Sequence, residues 1–459
     1  MQTRQWQSRR LGDRLDGMNG TDRTSVAGPM ACRLLTVVLA LALLQTGCTF
    51  RDVRQQTSVL ESACSISGHV RADPETGGPI VVAVAGEHAF EGDKPIRSAD
   101  HFVLESAGKW IFTLAPGRYR LLAFADHSGD LEYQSGEPLV LDETLDCAPG
   151  QRISGRSLKL AAADADPLDG RGLRVTRERS ATKAGSGTLV SLGEATAFGE
   201  ITTLDHARFA PAVARDSLWR PVDFYRHHRG GIYFLEPHDP DRIPVLMVHG
   251  INGSPRVFEA IIQGLDHDRY QPWLYYYPSG ISLTSNVDQL EQIMGDLEIR
   301  HEVEELRVIA HSMGGLIARA WLLQRPARAR VTDLVTISTP WGGHAGAGLG
   351  VDHAPAVVPV WRDMAPKSEF LNRLFAEEPE GRKLPRETAK HMLFSYRSGR
   401  GGDGVASMDS MLLPRAQAEA RSLWGIKADH AGILAKPETL ERIDWLLGDR
   451  EKPFSPRRP

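Results

Sequence analysis

From residue 243 onward, short and predominantly apolar runs alternate with stretches of helical periodicity, and this alternation constrains the fold more than any other feature of the chain. The runs 243–248, 273–277, 306–310, 331–338 and 391–396 have the length of strands. The stretches 286–299, 316–323 and 437–447 instead repeat apolar residues at intervals of three and four, as helices do. Strands apolar on both sides must be covered on both sides. The pattern therefore predicts a doubly wound α/β architecture, a mostly parallel sheet with helices on each face.

Within it, Ala310-His311-Ser312-Met313-Gly314-Gly315 falls between the strand at 306–310 and the helix at 316–323. A serine on so sharp a turn needs small neighbours, because strand and helix approach closely there. A second small-residue turn, His249-Gly250, follows the strand at 243–248. On these residues the chain resembles the α/β-hydrolase family, in particular its lipase branch, whose nucleophile elbow reads G-x-S-x-G. Ala310 stands where the first glycine would, as it does in some bacterial lipases. The resemblance covers roughly 188–450, with its sharp motifs confined to about thirty residues.

The resemblance implies Ser312 as nucleophile and the backbone amides of Ile251 and Met313 as an oxyanion hole. In this family the acid and then the base follow the serine along the chain. Gly401-Gly402-Asp403-Gly404-Val405 resembles the Asp-Gly-hydrophobic signature of bacterial lipases and places the acid at Asp403, with Asp409 and Asp363 as alternatives. Ala428-Asp429-His430-Ala431-Gly432, just before the last helix, places the base at His430. His249 and His311 are expected to support their turns, and His344, His353 and His391 to be ordinary surface or core residues. The implied activity is carboxylic-ester hydrolysis through an acyl-enzyme, lipase- or esterase-like, with neither metal nor cofactor. An acyltransferase would use the same intermediate with an alcohol as acceptor. A non-catalytic binding protein on this fold is a third reading, opposed by the presence of all three residues.

Some fifty residues separate the strands at 331–338 and 391–396, far more than the 2–6 of an ordinary connection. A cap or lid is expected over about 341–386, resembling caps of the lipase and GPI inositol-deacylase-like branches. Phe370, Leu371, Leu374 and Phe375 share one helical face, which either walls an acyl pocket or packs on the core.

The first third of the chain follows other rules. An apolar run at 34–44 follows Arg33 and ends in Gln45-Thr46-Gly47-Cys48; its eleven residues suit a signal peptide and fall short of a membrane span. Gly47-Cys48 resembles a bacterial lipobox, although Gln45 stands where leucine is usual. That resemblance implies removal of 1–47 and a lipid on Cys48 at the start of a tether over 48–63; the stretch before the apolar run is longer than a signal peptide needs, which points to a start at Met18 or Met30. The protein is then expected to be exported to a bacterial envelope and held on its membrane.

The whole chain carries 54 basic and 58 acidic residues, so no concentrated cationic surface invites nucleic acid. Removing the leader leaves 48 basic and 55 acidic, a net charge of -7. With Cys32 in the leader and Cys48 acylated, Cys64 and Cys147 are left as a disulfide pair in an oxidising compartment.

Between those two cysteines, alternating strands without helices predict a small all-β sandwich over 64–160. Residues 110–114 and 119–123 read as a hairpin about Pro116-Gly117, and the stretch 110–126 resembles transthyretin-like and carboxypeptidase-regulatory-like sandwiches. Asp126, Ser128, Asp130 and Glu137 have calcium-loop spacing, but Leu131 occupies the position that needs glycine, so a solvated acidic turn is expected. Residues 161–187 read as a linker, 188–450 as the hydrolase unit and 451–459 as a tail.

Overall fold

The computed structural model describes residues 50–73, 76–160, 166–175, 195–325, 329–376, 383–399 and 401–448. Residues 1–47, where a signal peptide is expected, and Cys48 lie outside them, as do residues 451–459. Among the described residues no helix is long and apolar enough to cross a membrane.

The all-β unit contains β1 (Cys64–Ala72), β2 (Ile80–Gly86), β3 (Ile96–Arg97), β4 (Asp100–Leu104), β5 (Gly108–Leu114), β6 (Gly117–Ala125), β7 (Leu139–Cys147) and β8 (Arg152–Leu160). They form a three-stranded sheet, β5-β1-β8, and a four-stranded sheet, β4-β2-β6-β7. Ile66 and Phe112 from the first sheet and Val82, Val84 and Leu121 from the second share one buried core, so the sheets pack as a sandwich. The Cys64 and Cys147 sulfurs are bonded, with Cα atoms 5.8 Å apart.

The expected hairpin is not there. β5 pairs with β1, while β6 pairs with β2 and β7, so the chain crosses from one sheet to the other at Pro116-Gly117. Trp110, Phe112, Leu121 and Ala123 do face one core, but from opposite sides of it. The Tyr119 hydroxyl closes the crossing by donating to the Ala115 carbonyl four residues back, at 2.8 Å. Local alternation identifies strands; it carries no information on which strand is the neighbour.

Two other expectations change. Residues 166–175 are not a free linker: β9 (Leu173–Arg174) pairs with β3, and Leu168, Leu173 and Val175 are buried on the sandwich. Residues 50–61 form a helix rather than a loose tether. Val53 enters the core of the α/β unit, and Gln56 Oε1 accepts from the amides of Val222 and Asp223 at 2.8 and 3.1 Å.

The α/β unit is one eight-stranded sheet, built from β10 (Thr196–Ile201), β11 (Gly230–Phe234), β12 (Ile243–Val248), β13 (Tyr270–Tyr276), β14 (Glu305–His311), β15 (Arg330–Ile337), β16 (Ala389–Tyr396) and β17 (Ala420–Lys427). Its order is β10-β11-β13-β12-β14-β15-β16-β17. The six strands β12 to β17 run parallel, and β11 meets β13 antiparallel. Separate apolar clusters cover the two faces: Leu246, Val308 and Leu334 point into one, Met247, Ile309 and Val335 into the other. This alternation along each parallel strand is what the all-apolar runs require.

The sandwich is fastened to this unit through β4. His101 Nε2 lies 2.9 Å from Asp296 Oδ2 on the helix Leu283–Arg300, with both side chains fully buried. One turn earlier Gln292 donates to Asp100 and to the His101 carbonyl.

Candidate active site

Parallel strands present all their C-terminal ends at one edge of the sheet, and the loops leaving that edge carry every residue of the site. Ser312 links β14 to the helix Met313–Gln324 with φ +53°, a left-handed conformation that is strained for a residue with a side chain. The glycines beside it have a steric reason. A Cβ on Gly314 would collide with the Val248 carbonyl, and one on Gly315 with the Thr339 side chain.

His430 sits in the loop after β17, and its Nε2 is 2.8 Å from Ser312 Oγ. Its Nδ1 lies 2.6 Å from Asp403 Oδ2, which follows β16. Asp403 is fully buried, yet each oxygen is satisfied: Oδ1 accepts the amides of Val405 and Ala406 at 2.9 and 2.8 Å, and Oδ2 accepts His430 and the Ser395 hydroxyl. Burial opposes its charge, but hydrogen bonds from His430, Ser395 and Val405 outweigh it and hold the carboxyl down at about 2. The aspartate is therefore anionic at neutral pH, and the Nδ1 proton of the imidazole is fixed toward it.

Met313, as the first helical residue, has no carbonyl one turn back to accept its amide proton. The Ile251 amide has no acceptor among the described residues. Gly250 brings that loop against Ser312, since a Cβ there would stand 2.7 Å from Ser312 Cβ. The loop is braced from below. The rings of His249 and Tyr277 stack 4.2 Å apart, the Tyr277 hydroxyl donates to the His249 carbonyl, and His249 Nδ1 lies 2.8 Å from the Gly250 carbonyl. Burial pushes the His249 imidazole down to about 4. His311 is pushed down to about 3 by burial and by the neighbouring His430. Neutral His311 donates from Nε2 to the His430 carbonyl at 2.9 Å and so holds the backbone of that loop.

The alternative acids do other work or lie elsewhere. Asp363 accepts the Leu283 amide at 2.6 Å, and Asp409 sits in the first turn of the short helix Met408–Met411. His391 is buried between Ser422 and Asp333. His344 Nε2 lies 2.9 Å from the Val405 carbonyl, tying the segment after β15 to the acid loop. Sequence reasoning passed over Ser395 and Ser338, whose hydroxyls lie 2.7 Å apart behind Asp403; their only local signal is a serine at the end of each of two buried strands.

Among the described residues, the connection between β15 and β16 contains the helices Ala345–His353, Pro359–Met364 and Glu369–Leu374. Of the two readings offered for its apolar face, packing on the core is the one seen. Phe370, Leu371, Leu374 and Phe375 join the cluster under the sheet, Arg319 donates to the Leu374 carbonyl, and its guanidinium lies 4.1 Å from the Phe375 ring centre. Leu349 and Val405 remain more than half or about half exposed, at 61% and 50%.

The expected acidic turn in the sandwich is solvated at Ser128 and Asp130, while the carboxylates at its two ends are turned inward and satisfied. Asp126 is 1% exposed and accepts the amides of Gly129 and Leu131 at 2.9 Å, while Glu137 accepts those of His127 and Gln134 at 2.8 and 2.9 Å. Among the described residues no group of three or more His, Cys, Asp or Glu is placed to hold a metal ion.

A family model described as alpha/beta hydrolase fold matches residues 243–398, which include Ser312 but stop short of Asp403 and His430. No curated protein matches the sequence. Among solved structures, the mature lipase BlEst2 of Bacillus licheniformis is 19% identical, with 48% of this chain and 98% of that one covered and a TM-score of 0.39. Lipase B of Aspergillus fumigatus is 16% identical, covering 50% of this chain and 58% of its own, with a TM-score of 0.37. An esterase of Pyrococcus furiosus is 16% identical, covering 45% and 81%, with a TM-score of 0.35.

Proposed function

We propose that this chain, which carries the α/β-hydrolase fold behind an all-β sandwich, is a serine hydrolase of carboxylic esters. One observation carries the reading: a strained serine, a histidine and a buried anionic aspartate in unbroken hydrogen-bond contact, with two free backbone amides beside the serine. Ser312 Oγ attacks the acyl carbon as its proton passes to His430 Nε2. The carbonyl oxygen takes the negative charge and accepts the amides of Ile251 and Met313. Collapse breaks the ester bond, and the alcohol leaves with the proton from His430. Water then adds to the acyl-enzyme by the same route in reverse, releasing the carboxylic acid and restoring the Ser312 hydroxyl.

Acyl or lipid esters are the substrate class favoured by the exposed Val405, two residues after Asp403, and by the exposed Leu349 on the helix that follows His344. Residues 1–47 are proposed as a cleaved signal and Cys48 as the lipid-bearing residue that holds the protein on an envelope membrane. The Cys64–Cys147 bond supports export, because such bonds persist in oxidising compartments.

A fluorophosphonate probe tests the nucleophile, with Ser312→Ala as control, alongside nitrophenol release from esters of increasing chain length. An unlabelled parent protein would reject the proposal. A new ester formed when alcohol is added would turn it toward acyl transfer. Mass spectrometry of the mature terminus tests the anchor: a start elsewhere than Cys48, without lipid, removes it.

A further inference from the structure

We infer that Ser338 and Ser395 form a two-hydroxyl relay that positions and polarises Asp403, making them positioning residues for the Ser312 chemistry; this rests on the hydrolase reading of that site. Ser395 lies on β16 and Ser338 directly follows β15, and both are fully buried. Ser395 Oγ donates to Asp403 Oδ2 at 2.6 Å, the same oxygen that receives His430 Nδ1. A hydroxyl has one proton. Having given it to the carboxylate, Ser395 can meet Ser338 Oγ, 2.7 Å away, only as an acceptor. The two hydroxyl dipoles therefore point the same way, head to tail, toward the acid.

The backbone gives an independent reason to see the Ser338 hydroxyl as used. Ser338 has φ +51°, and its amide is held by the Leu393 carbonyl at 2.8 Å. A side chain in this region is strained, whereas glycine would occupy it freely. A serine here keeps an oxygen at the end of the relay at the expense of local strain.

The relay acts on one atom. With Ser395 in place, Oδ2 has two donors in fixed directions, which stops rotation of the carboxylate and draws off part of its charge. Without Ser395 the aspartate is freer and more basic. His430 then holds a proton more readily and accepts one from Ser312 less often at neutral pH. Among the described residues, the ionisable groups around the pair include His311, with its ring 5.0 Å from that of His430, Arg397 packed against Gly404, and Asp429 preceding His430. All of them stay in place in the variants below.

The test compares the parent with Ser395→Ala, Ser338→Gly and the double variant. Readouts are kcat and KM on a nitrophenyl ester across pH, and the His430 titration midpoint by NMR of protein labelled with nitrogen-15 histidine. Ser395→Ala should lower kcat about 10-fold with KM within about twofold, and move both the acid limb and the NMR midpoint upward by about half a pH unit or more. Ser338→Gly should act in the same direction by about threefold, although it relieves the backbone. The double variant should fall no further than Ser395→Ala, because the outer hydroxyl has lost its target. Unmoved midpoints, or losses that multiply in the double variant, overturn the relay. Should Ser395→Ala fold poorly, Ser338→Gly decides by itself. If the parent hydrolyses no ester, the hydrolase reading fails, while the NMR midpoints still decide whether the hydroxyls polarise Asp403.

Discussion

Of the three histidine–aspartate pairs with a buried aspartate among the described residues, His430–Asp403 and His101–Asp296 make the sharper comparison, and His391–Asp333 is the third. At the C-terminal edge of the sheet His430 Nδ1 meets Asp403 at 2.6 Å; between sandwich and sheet His101 Nε2 meets Asp296 at 2.9 Å. The couples are chemically alike, and their surroundings are not. The second nitrogen of His430 faces the strained Ser312, beside two amides without acceptors. The second nitrogen of His101 has no hydrogen-bond partner among the described residues, its ring lies 5.0 Å from that of Phe198, and Asp296 is also held by Arg300 one turn along. A polar pair becomes a reaction centre when an unspent nitrogen meets a nucleophile and donors await new charge. Without them the same pair is a fastening between domains.

The largest effects should separate the two pairs. Ser312→Ala or His430→Ala is expected to cut kcat by about 10⁴-fold or more with little change in melting temperature. His101→Ala should leave kcat per folded molecule within about twofold. Steady-state kinetics beside thermal melts check this, and inactivation by His101→Ala would break the comparison. Next comes Gly250→Ala, whose methyl would stand 2.7 Å from Ser312 Cβ. Displacing the Ile251 amide should cost about 10²–10³-fold in kcat. Parental kcat in that variant would count against an oxyanion role for the loop.

The fastening should show itself in stability instead. Removing His101 takes one partner from the buried Asp296 carboxylate, and denaturant titration should register a loss of about 3–5 kcal/mol. His101→Gln, which restores a donor, should recover part of it. The smallest effect is graded in pH. His249 and His311 have folded values of about 4 and about 3, below the ordinary 6.5 of an exposed histidine. As pH falls from about 6 toward 4, the unfolded chain binds both protons and the folded chain does not. Stability should then fall by up to about 2.7 kcal/mol per pH unit. Asp403, with its lowered value, adds a further loss only as pH drops from the ordinary carboxylate range toward 2. A flat urea midpoint between pH 6 and 4 would contradict the buried neutral state of both imidazoles.

What was legible in the chain was whatever depends on neighbours in sequence. The strands β12 to β16, the helices after 283, 313 and 437, and the small residues around Ser312 all announce themselves locally. β17 does not, because only Ile426 in it is buried and its apolar residues form no run. β10 and β11 are short, and glycine-rich in the second case.

The sequence by itself determined which segments are strands and helices and which residue types stand in the turns, because period, steric size and missing amide protons act over a few residues. Only the tertiary structure decided which strands are neighbours and which side chains meet. It placed Trp110 and Leu121 in opposite sheets, Leu173 against Ile96, His101 against Asp296, and Ser338 behind Ser395 and Asp403. Ser312 and His430 are 118 positions apart along the chain and 2.8 Å apart in space. No local periodicity encodes such a distance; it follows from the order of strands in a closed-packed sheet, which the whole chain settles together.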